Sequence, residues 1–518
     1  MRKLLILGML AAALTGAEKP TLFESPDAAM PQGKIDDLVF AQWKRLSIQP
    51  ARLCSDAVFV RRAYLDTIGT LPTAEEAASF LADTGASKRS ALIDRLLERD
   101  EFAEYWAMKW SDLLRIKAEF PINLWPNAAQ AYYNWVRSAL RANQPYDQFA
   151  RELLTASGSN FRVAPVNFYR AMQNKEPRGI AQTVALTFLG SRFEKWPADR
   201  QAGMAAFFSH VGYKETGEWK EEIVYFDPAR KTEPNAAPPS FPDGTPARIA
   251  AGQDPREVFA AWLVAPGNPW FARAIVNRIW YWLLGRGIVQ EPDDFRADNP
   301  PENPELLAYL TQELVASHYD LKQVYSLILH SSTWQLSSIP RAEPALAAAH
   351  FASYPLRRLD AEVLIDALNQ VTGTSETYTS AIPEPYTFMP DFQRAIALPD
   401  GSISSSFLEE FGRPPRDTGT ELERNSHITD SQRLHMLNSS HVQRKIQQSP
   451  RLQAMMRDIR NPQELVKQVY LTILSRPPSD EEWKLVAAHS QNGNARGQAA
   501  VVDLVWALFN STEFLYRH

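Results

Sequence analysis

The chain is 518 residues long, with 55 lysines and arginines against 60 aspartates and glutamates, so its formal net charge is −5. Hydrophobic residues make up 45% and charged residues 22%, a globular composition that excludes a disordered or collagen-like chain. The nearly balanced charge argues against a broad basic surface, and we therefore expect no nucleic-acid partner.

The first 17 residues have the pattern of a secretory signal peptide. Two basic residues precede an apolar run over residues 4–14, and the small residues Thr15 and Ala17 follow it. This pattern predicts cleavage near Ala17 and export to the periplasm or the extracellular space, with residues 18–34 as an N-terminal linker. The run is too short to cross a bilayer and no later segment reaches about 18 uninterrupted apolar residues, so we expect no membrane span.

From Ile35 onward, apolar residues recur every three or four positions, which is typical of amphipathic helices. Thr73 and Glu76 have the spacing of a capping box, and residues 271–284 predict a helix that ends at Gly285. Strand signals are few, the clearest being the alternation over residues 221–226. The sequence therefore predicts a mainly α fold of two helical domains joined by a Pro-rich crossover, with few short strands.

The domain boundaries follow from composition. Residues 227–252 contain six prolines, which predicts a linker or an ordered crossover loop between a first helical domain at 35–226 and a second at 253–518. A second irregular stretch, residues 372–415, carries aromatic residues that favour a loop packed on the body. Residues 64–76 and 470–482 align without gaps, which predicts a helical hairpin near each end of the chain.

Cys54 is the only cysteine, which excludes an intramolecular disulfide, a thiolate metal cage and covalent c-type haem attachment. We expect it to be a small buried apolar residue. His427, His435 and His441 lack the spacing of the common zinc motifs, so we expect no metal and no cofactor. The sequence also shows no nucleophile elbow, phosphate loop or dinucleotide fingerprint, and it therefore names no reaction.

Several ordered motifs resemble the planctomycete-type cytochrome-c-associated family, a group of exported bacterial proteins made of two adjacent domains of unknown function. The resemblance rests on the segments at residues 61–66, 71–73, 105–114, 268–280, 357–362 and 411–416. It covers nearly everything after the signal peptide. It implies a two-domain exported protein and attaches no activity to it.

The chain departs from the family pattern at two places. Members commonly carry Cys-x-x-Cys-His after the Phe-Leu-Gly that is residues 188–190 here, and Cys-Glu-Cys-Glu-Arg where this chain has residues 420–424. Here Ser191 follows the first motif, and Thr420 and Leu422 stand at the cysteine positions of the second. The resemblance thus implies that the cysteines belong to one site in the relatives and that this chain lacks it.

Glu421 and Glu423 are the candidate catalytic pair, because two carboxylates can divide the roles of acid and base. They face the same way on a strand and diverge on a helix. The candidate binding residues are arginines whose forks suit bidentate contacts with anions: Arg61, Arg62, Arg357, Arg358, Arg413, Arg416 and Arg424. For both sets the alternative is a structural network of ion pairs, such as Arg62 with Asp66 along one helix. Residues 357–362 predict the start of another helix.

These features favour an exported, haem-free binding or scaffold module whose partner is a protein or a polysaccharide at the cell surface or in the periplasm. Aromatic groups such as Trp106 with Trp110, and Trp280 with Trp282, could stack on sugars, although their helical spacing favours the core. One alternative is a hydrolase acting on polysaccharide-type substrates through Glu421 and Glu423. The other is an electron-transfer-associated protein that holds haem noncovalently.

Overall fold

The computed structural model describes residues 22–231, 237–491 and 497–518. The predicted signal peptide, residues 1–17, lies outside the described residues, as does the first part of the 18–34 linker. Helices dominate the described ranges and strands are few and short, which confirms the mainly α prediction. Within these ranges, no helix combines the length and the apolar character needed to cross a bilayer.

The first part of the chain forms α1 to α10: Lys34–Leu46, Asp56–Thr67, Ala74–Ala82, Lys88–Leu97, Asp100–Leu113, Pro126–Arg141, Tyr146–Thr155, Asn167–Arg170, Pro177–Val184 and Ala198–Ala205. Local signals set many of the boundaries. The predicted capping box is present at α3, where the Thr73 hydroxyl accepts the Glu76 N–H at 3.1 Å and the Glu76 carboxylate accepts the Thr73 N–H at 2.8 Å. The start of α3 is therefore fixed by its own sequence.

The second part forms α11 to α24: Pro255–Leu263, Phe271–Leu284, Pro304–Ala316, Leu321–His330, Pro344–Ala349, Ala361–Thr372, Ser406–Glu410, Asp430–Asn438, Ser440–Gln447, Pro450–Asp458, Pro462–Leu474, Asp480–Gln491, Gln498–Phe509 and Thr512–Leu515. The predicted helix over 271–284 is α12, and Gly285 ends it with a φ of 69°. Short turns of tighter or wider helix lie between these elements, namely Ala164–Val166, Ala185–Leu189, Phe193–Lys195, Ala206–Phe208, Ala395–Ala397 and Glu421–Glu423.

The strands make two small antiparallel sheets. The first contains β1 (Gly158–Ser159), β2 (Val211–Glu215) and β3 (Glu222–Phe226) in the order β1-β3-β2, with Tyr213 opposite Val224. The second pairs β4 (Arg357–Arg358) with β5 (Tyr516–Arg517). The prediction that residues 357–362 begin a helix is therefore wrong for residues 357–360, because Arg357 and Arg358 pair with a distant segment and α16 begins only at Ala361.

The described part of the Pro-rich segment, residues 237–252, is an ordered loop packed on both halves of the chain. Phe241 stacks on Phe207 at 5.1 Å between ring centres and on Trp262 at 5.0 Å. Arg200 also donates to the Pro242 carbonyl at 2.7 Å. Of the two alternatives that the prolines allowed, this portion corresponds to the ordered crossover.

Each predicted hairpin is present as a pair of consecutive helices, α2 with α3 and α21 with α22, and α2 packs against α3 whereas α22 packs against α23. Each consists of a helix, a turn containing proline, and a second helix whose first turn is rich in carboxylates. Residues of α21 lie against α3, so the hairpins from opposite ends of the chain meet. The first and last parts of the protein are therefore packed together.

The core is continuous through both halves and is rich in aromatic rings. Trp106 and Trp110 of α5 lie 5.5 Å and 6.2 Å from Trp282 of α12, measured between ring centres. These tryptophans and Trp280 are buried, which confirms the assignment of the helically spaced aromatics to the core. Cys54 is fully buried as well.

Candidate functional site

The candidate binding arginines are buried or half-buried, and the structure turns most of them toward main-chain carbonyls. Arg61 donates to the carbonyls of Ile473 and Phe514 at 2.8 Å and 2.9 Å. Arg62 and Asp66, expected to pair along α2, take different partners: Arg62 donates to the carbonyls of Trp334 and Leu336, and Asp66 accepts from the side chains of Trp334 and Tyr354. These arginines join distant segments of the fold.

The two arginines of β4 also join distant segments of the fold. Arg357 donates to the Trp282 carbonyl at 3.0 Å and to the Leu283 carbonyl at 2.6 Å, close to the end of α12. Arg358 donates to the carbonyls of Phe411 and Asn425 at 2.6 Å and 2.8 Å. β4 is therefore linked to α12 and to the irregular segment that precedes α18.

The remaining three candidates, Arg413, Arg416 and Arg424, converge on carboxylates. The Arg424 guanidinium lies 2.6 Å from Asp112 of α5 and 2.8 Å from Glu362 of α16. Arg416 lies 2.9 Å from Asp112, and Arg413 lies 3.6 Å from Glu362. This cluster is mostly buried, with 11% of the Arg424 side chain and 15% of the Asp112 side chain exposed, and it bridges segments more than 300 positions apart in the chain.

Asp360, at the start of α16, extends this buried ion network. It accepts from Lys109 and from Arg517, each at 3.0 Å. Burial raises the pKa of Glu362, but the Arg424 guanidinium outweighs burial and the net pKa is lowered to about 2. For Asp360, the cations Lys109, Arg424 and Arg517 outweigh burial in the same way and hold the pKa well below its ordinary value. Both groups are thus carboxylates at neutral pH.

Glu421 and Glu423 form a single tight helical turn and point in different directions. The Glu423 carboxylate accepts the backbone N–H groups of Thr418 at 2.5 Å and Asp417 at 3.2 Å, so it closes its own loop. The Glu421 carboxylate accepts the indole N–H of Trp282 at 2.6 Å. The two carboxylates therefore bind different partners.

Glu421 has the more unusual environment of the two. Burial and the neighbouring Asp293 carboxylate raise the pKa of Glu421 to about 7. Asp293 accepts the Glu421 backbone N–H at 3.0 Å and is paired with Arg278 at 2.7 Å. Arg278 in turn donates to the carbonyls of Leu186 and Thr187. Near neutral pH the Glu421 carboxyl group is thus present in both its protonated and its ionised form, and it can either donate or accept a proton.

This arrangement brings together the two places where the cysteine motifs of the relatives would stand. Leu186 and Thr187 belong to a π-helical turn, Ala185–Leu189, that immediately precedes Gly190. Residues 420–424 approach the same Asp293–Arg278 pair from the other side. The structure thus places residues 185–190 and 420–424 beside one buried ion pair.

The surface shows a different feature, an aromatic cluster formed by Trp125, Trp219 and Tyr386. Their ring centres are 4.6 Å, 5.4 Å and 5.7 Å apart, and all three pairs meet edge to face. Trp219 is 60% exposed and Tyr386 is 46% exposed. The Lys220 ammonium lies 5.5 Å from the centre of the Trp125 ring and 5.7 Å from that of Trp219.

The backbone at this surface aromatic cluster is strained. Trp125 has a φ of 73° and Lys220 a φ of 63°, in the left-handed region that ordinary residues avoid at a cost of about 1–2 kcal/mol each. Such strain is concentrated at functional sites, where the surrounding structure holds the residues in place. Both residues lie in loops, Trp125 just before α6 and Lys220 just before β3.

Sequence reasoning missed this cluster because it selected aromatic residues that are neighbours in the chain. The three rings come from distant segments of the chain, and only the fold brings Trp219 and Tyr386 to Trp125. The irregular stretch 372–415 was expected to pack its aromatic residues on the body. Phe407 does so, but Tyr386, Phe388 and Phe392 are 46%, 63% and 77% exposed, so this expectation is wrong for them.

The histidines form a chain of contacts between carboxylates. His435 lies 2.6 Å from Glu410 and 3.4 Å from His441, which in turn lies 2.9 Å from Glu376. Among the residues that the structure describes, no three histidine, cysteine, aspartate or glutamate side chains are grouped so as to hold a metal ion.

Two protein-family models match the chain, one for each half. Residues 34–211 match PSCyt2, described as a protein of unknown function (DUF1549), and residues 255–490 match PSD1, described as a protein of unknown function (DUF1553). The two matched ranges lie on either side of the Pro-rich segment. No curated protein and no solved structure shows a significant match.

Proposed function

The chain belongs to the planctomycete-type cytochrome-c-associated family, in a form without the cysteine motifs, and on that premise we propose that it is an exported, haem-free module that binds polysaccharide through its surface aromatic cluster. Export rests on the sequence pattern of residues 1–17. The observation that supports polysaccharide binding is that the aromatic rings of Trp125, Trp219 and Tyr386 contact one another at the protein surface.

The chemistry of sugars suits this surface. One face of a pyranose ring is rich in C–H groups that pack on an aromatic ring, while its hydroxyl groups stay hydrogen-bonded at the edges. Rings that meet edge to face present surfaces at different angles, so a polymer can place successive units against different rings. Lys220, exposed above two of the rings, supplies N–H donors to hydroxyl groups or to acidic substituents.

The position of the cluster also supports binding rather than packing. Its three aromatic residues come from three separate segments, and the loop that carries Tyr386 is anchored to the first half of the chain. Glu119 accepts the Ala381 backbone N–H at 3.0 Å and the Ser380 hydroxyl at 3.2 Å. The surface is thereby organised in advance, which lowers the entropy cost of binding.

The test is affinity electrophoresis of the purified protein through gels that each contain one neutral, sulfated or uronic polysaccharide. The variant Trp219→Ala/Tyr386→Ala removes the two exposed rings. At about 0.5–1.5 kcal/mol per ring, retardation should weaken about tenfold. Trp506→Ala, which removes a partly exposed tryptophan of α23, is the matched control and should leave retardation unchanged. Equal retardation of the double variant and the wild type would reject the proposal, as would no retardation by any polymer.

A hydrolase centred on Glu421 is the second candidate, because the pKa of this carboxyl group is raised to about 7 by burial and by Asp293. In this proposal Glu421 is the general acid, while Glu423 only holds its loop. Glu421→Gln should then abolish release of reducing ends from polysaccharide, and Glu423→Gln should retain it. Equal activity of the two variants would dispose of this assignment.

A further inference from the structure

A cleft with a volume of 340 Å³ lies between the two halves of the chain, separate from the surface aromatic cluster. One wall comes from the first half and includes Arg99 and Glu101, at the start of α5. The other wall comes from α16 and the segment after it, and includes Asp366 and Arg394. Phe392 lies at the cleft with 77% of its surface exposed. The volume is within the range of about 300–1,000 Å³ that small-molecule sites occupy.

The charged groups of the first wall already satisfy one another. Arg99 lies 2.5 Å from Glu101 and 3.0 Å from Glu76, and the Glu76 carboxylate also accepts the Thr73 N–H in the capping box. These contacts shape the wall and leave little charge to attract an ion. The first wall is therefore a preformed polar surface.

The second wall holds a carboxylate and a guanidinium that are only loosely paired. Asp366 is buried and accepts the backbone N–H groups of Ala395 at 2.8 Å and Ile396 at 3.1 Å. The Arg394 Nε lies 3.9 Å from Asp366, and its Nη1 lies 3.4 Å from Glu104. The Arg394 side chain is 34% exposed, so the second wall presents guanidinium N–H donors beside a carboxylate acceptor.

A donor next to an acceptor matches neighbouring hydroxyl groups, since each hydroxyl both donates and accepts. Three carboxylates, Glu76, Glu101 and Asp366, outnumber the two guanidinium groups in the cleft, which disfavours an anionic ligand. The exposed Phe392 ring, held by a backbone φ of 66°, offers an apolar face at the same cleft. These features together describe a receptor for a small molecule with polar edges and one apolar face.

We propose that this interdomain cleft binds a small, neutral, hydroxyl-rich ligand, namely a monosaccharide or a disaccharide. Its hydroxyl groups contact Asp366 and Arg394, and the apolar face of the sugar packs on Phe392. The site is distinct from the surface aromatic cluster, although the segment that carries Tyr386 also carries Phe392 and Arg394. The proposal does not depend on polysaccharide binding at that cluster.

The experiment is saturation-transfer NMR and calorimetric titration of the purified protein with glucose, galactose, N-acetylglucosamine, maltose, glucosamine and glucuronate. We expect saturable binding of at least one neutral sugar, with transfer to its C–H protons. Phe392→Ala should weaken that binding at least fivefold while the protein stays folded, because the ring is largely exposed. The single variant Asp366→Asn should also weaken sugar binding. The control Leu422→Ala, which removes another exposed apolar side chain, should leave sugar binding unchanged.

Several outcomes would overturn the proposal: no saturable binding of any neutral sugar, binding of glucosamine or glucuronate alone, or equal affinity of Phe392→Ala and the wild type. The variant Trp219→Ala/Tyr386→Ala separates the two sites. If it loses polysaccharide but keeps the small sugar, both proposals stand. If it keeps polysaccharide and Phe392→Ala loses the small sugar, only the cleft stands.

Discussion

Replacing Arg424 by methionine tests whether the buried ion network stabilises the packing of the two halves. Arg424 contacts Asp112 and Glu362 at 2.6 Å and 2.8 Å, and these carboxylates lie on α5 and α16. Removing one partner of a buried ion pair costs about 3–5 kcal/mol, because the remaining charge is left without compensation. Asp112 keeps Arg416 at 2.9 Å and Glu362 keeps Arg413 at 3.6 Å, so we expect the lower end, about 3 kcal/mol.

That free energy converts to a modest change in melting temperature. The unfolding entropy is about 2.1 cal/mol/K per residue, or about 1 kcal/mol/K for a chain of this size, so Arg424→Met should lower Tm by about 3 °C. Differential scanning calorimetry measures this change in Tm directly. The control is Arg433→Met, whose partner Asp430 is 92% exposed, and such a surface pair contributes about 0–1 kcal/mol. Adding Glu362→Gln to Arg424→Met should recover part of the loss.

The same variant predicts a change in pH dependence. Because Arg424 helps to hold the pKa of Glu362 near 2, the ionised carboxylate stabilises the fold fully above its ordinary pKa of 4.5. This contribution disappears as the pH falls from 4.5 toward 2. The difference in Tm between the wild type and Arg424→Met should therefore shrink over that interval. A difference that is constant with pH, or a loss no larger than that of Arg433→Met, would refute the reasoning.

Further predictions concern backbone, thiol and carboxyl groups. Gly69→Ala should destabilise the protein by about 2–4 kcal/mol in chemical denaturation, because Gly69 has a φ of 63° and an added Cβ would overlap the Tyr105 ring; Gly267→Ala, where the space is open, should be near neutral. Cys54 should resist Ellman's reagent until denaturant is added, and labelling of the native protein would contradict its burial. Burial raises the pKa of Asp366 to about 6, so its contribution to stability is present below its ordinary pKa of 3.8 and lost as the pH rises through about 6. The Tm of the wild type relative to Asp366→Asn should fall over that interval.

The sequence predicts best what neighbouring residues determine. The capping box at Thr73, the end of α12 at Gly285 and the two hairpins depend on contacts within a few positions. A short strand such as β4 is different, because it exists only where β5, more than 150 positions later, pairs with it. Nothing in the local sequence of Arg357 and Arg358 distinguishes that strand from a helix start.

The candidate site was predictable in composition and not in geometry. The density of charge around residues 413–424 was visible in the sequence, and the structure does collect Arg413, Arg416 and Arg424 in one cluster. Asp112, the partner of Arg416 and Arg424, lies about 300 positions earlier, so this pairing follows from tertiary packing alone. The surface aromatic cluster also requires the fold, since its members come from distant segments of the chain.

The long range of these contacts bears on function, because it makes the two family domains one mechanical unit. Arg61 and Arg62 of α2 donate to carbonyls more than 400 positions later, and Gln370 of α16 donates to the Leu71 carbonyl at 2.8 Å beside the interdomain cleft. The Gln370 contact joins the two walls of that cleft. Affinity there then depends on groups that are already in place, namely the partly exposed Arg394 guanidinium and the exposed Phe392 ring.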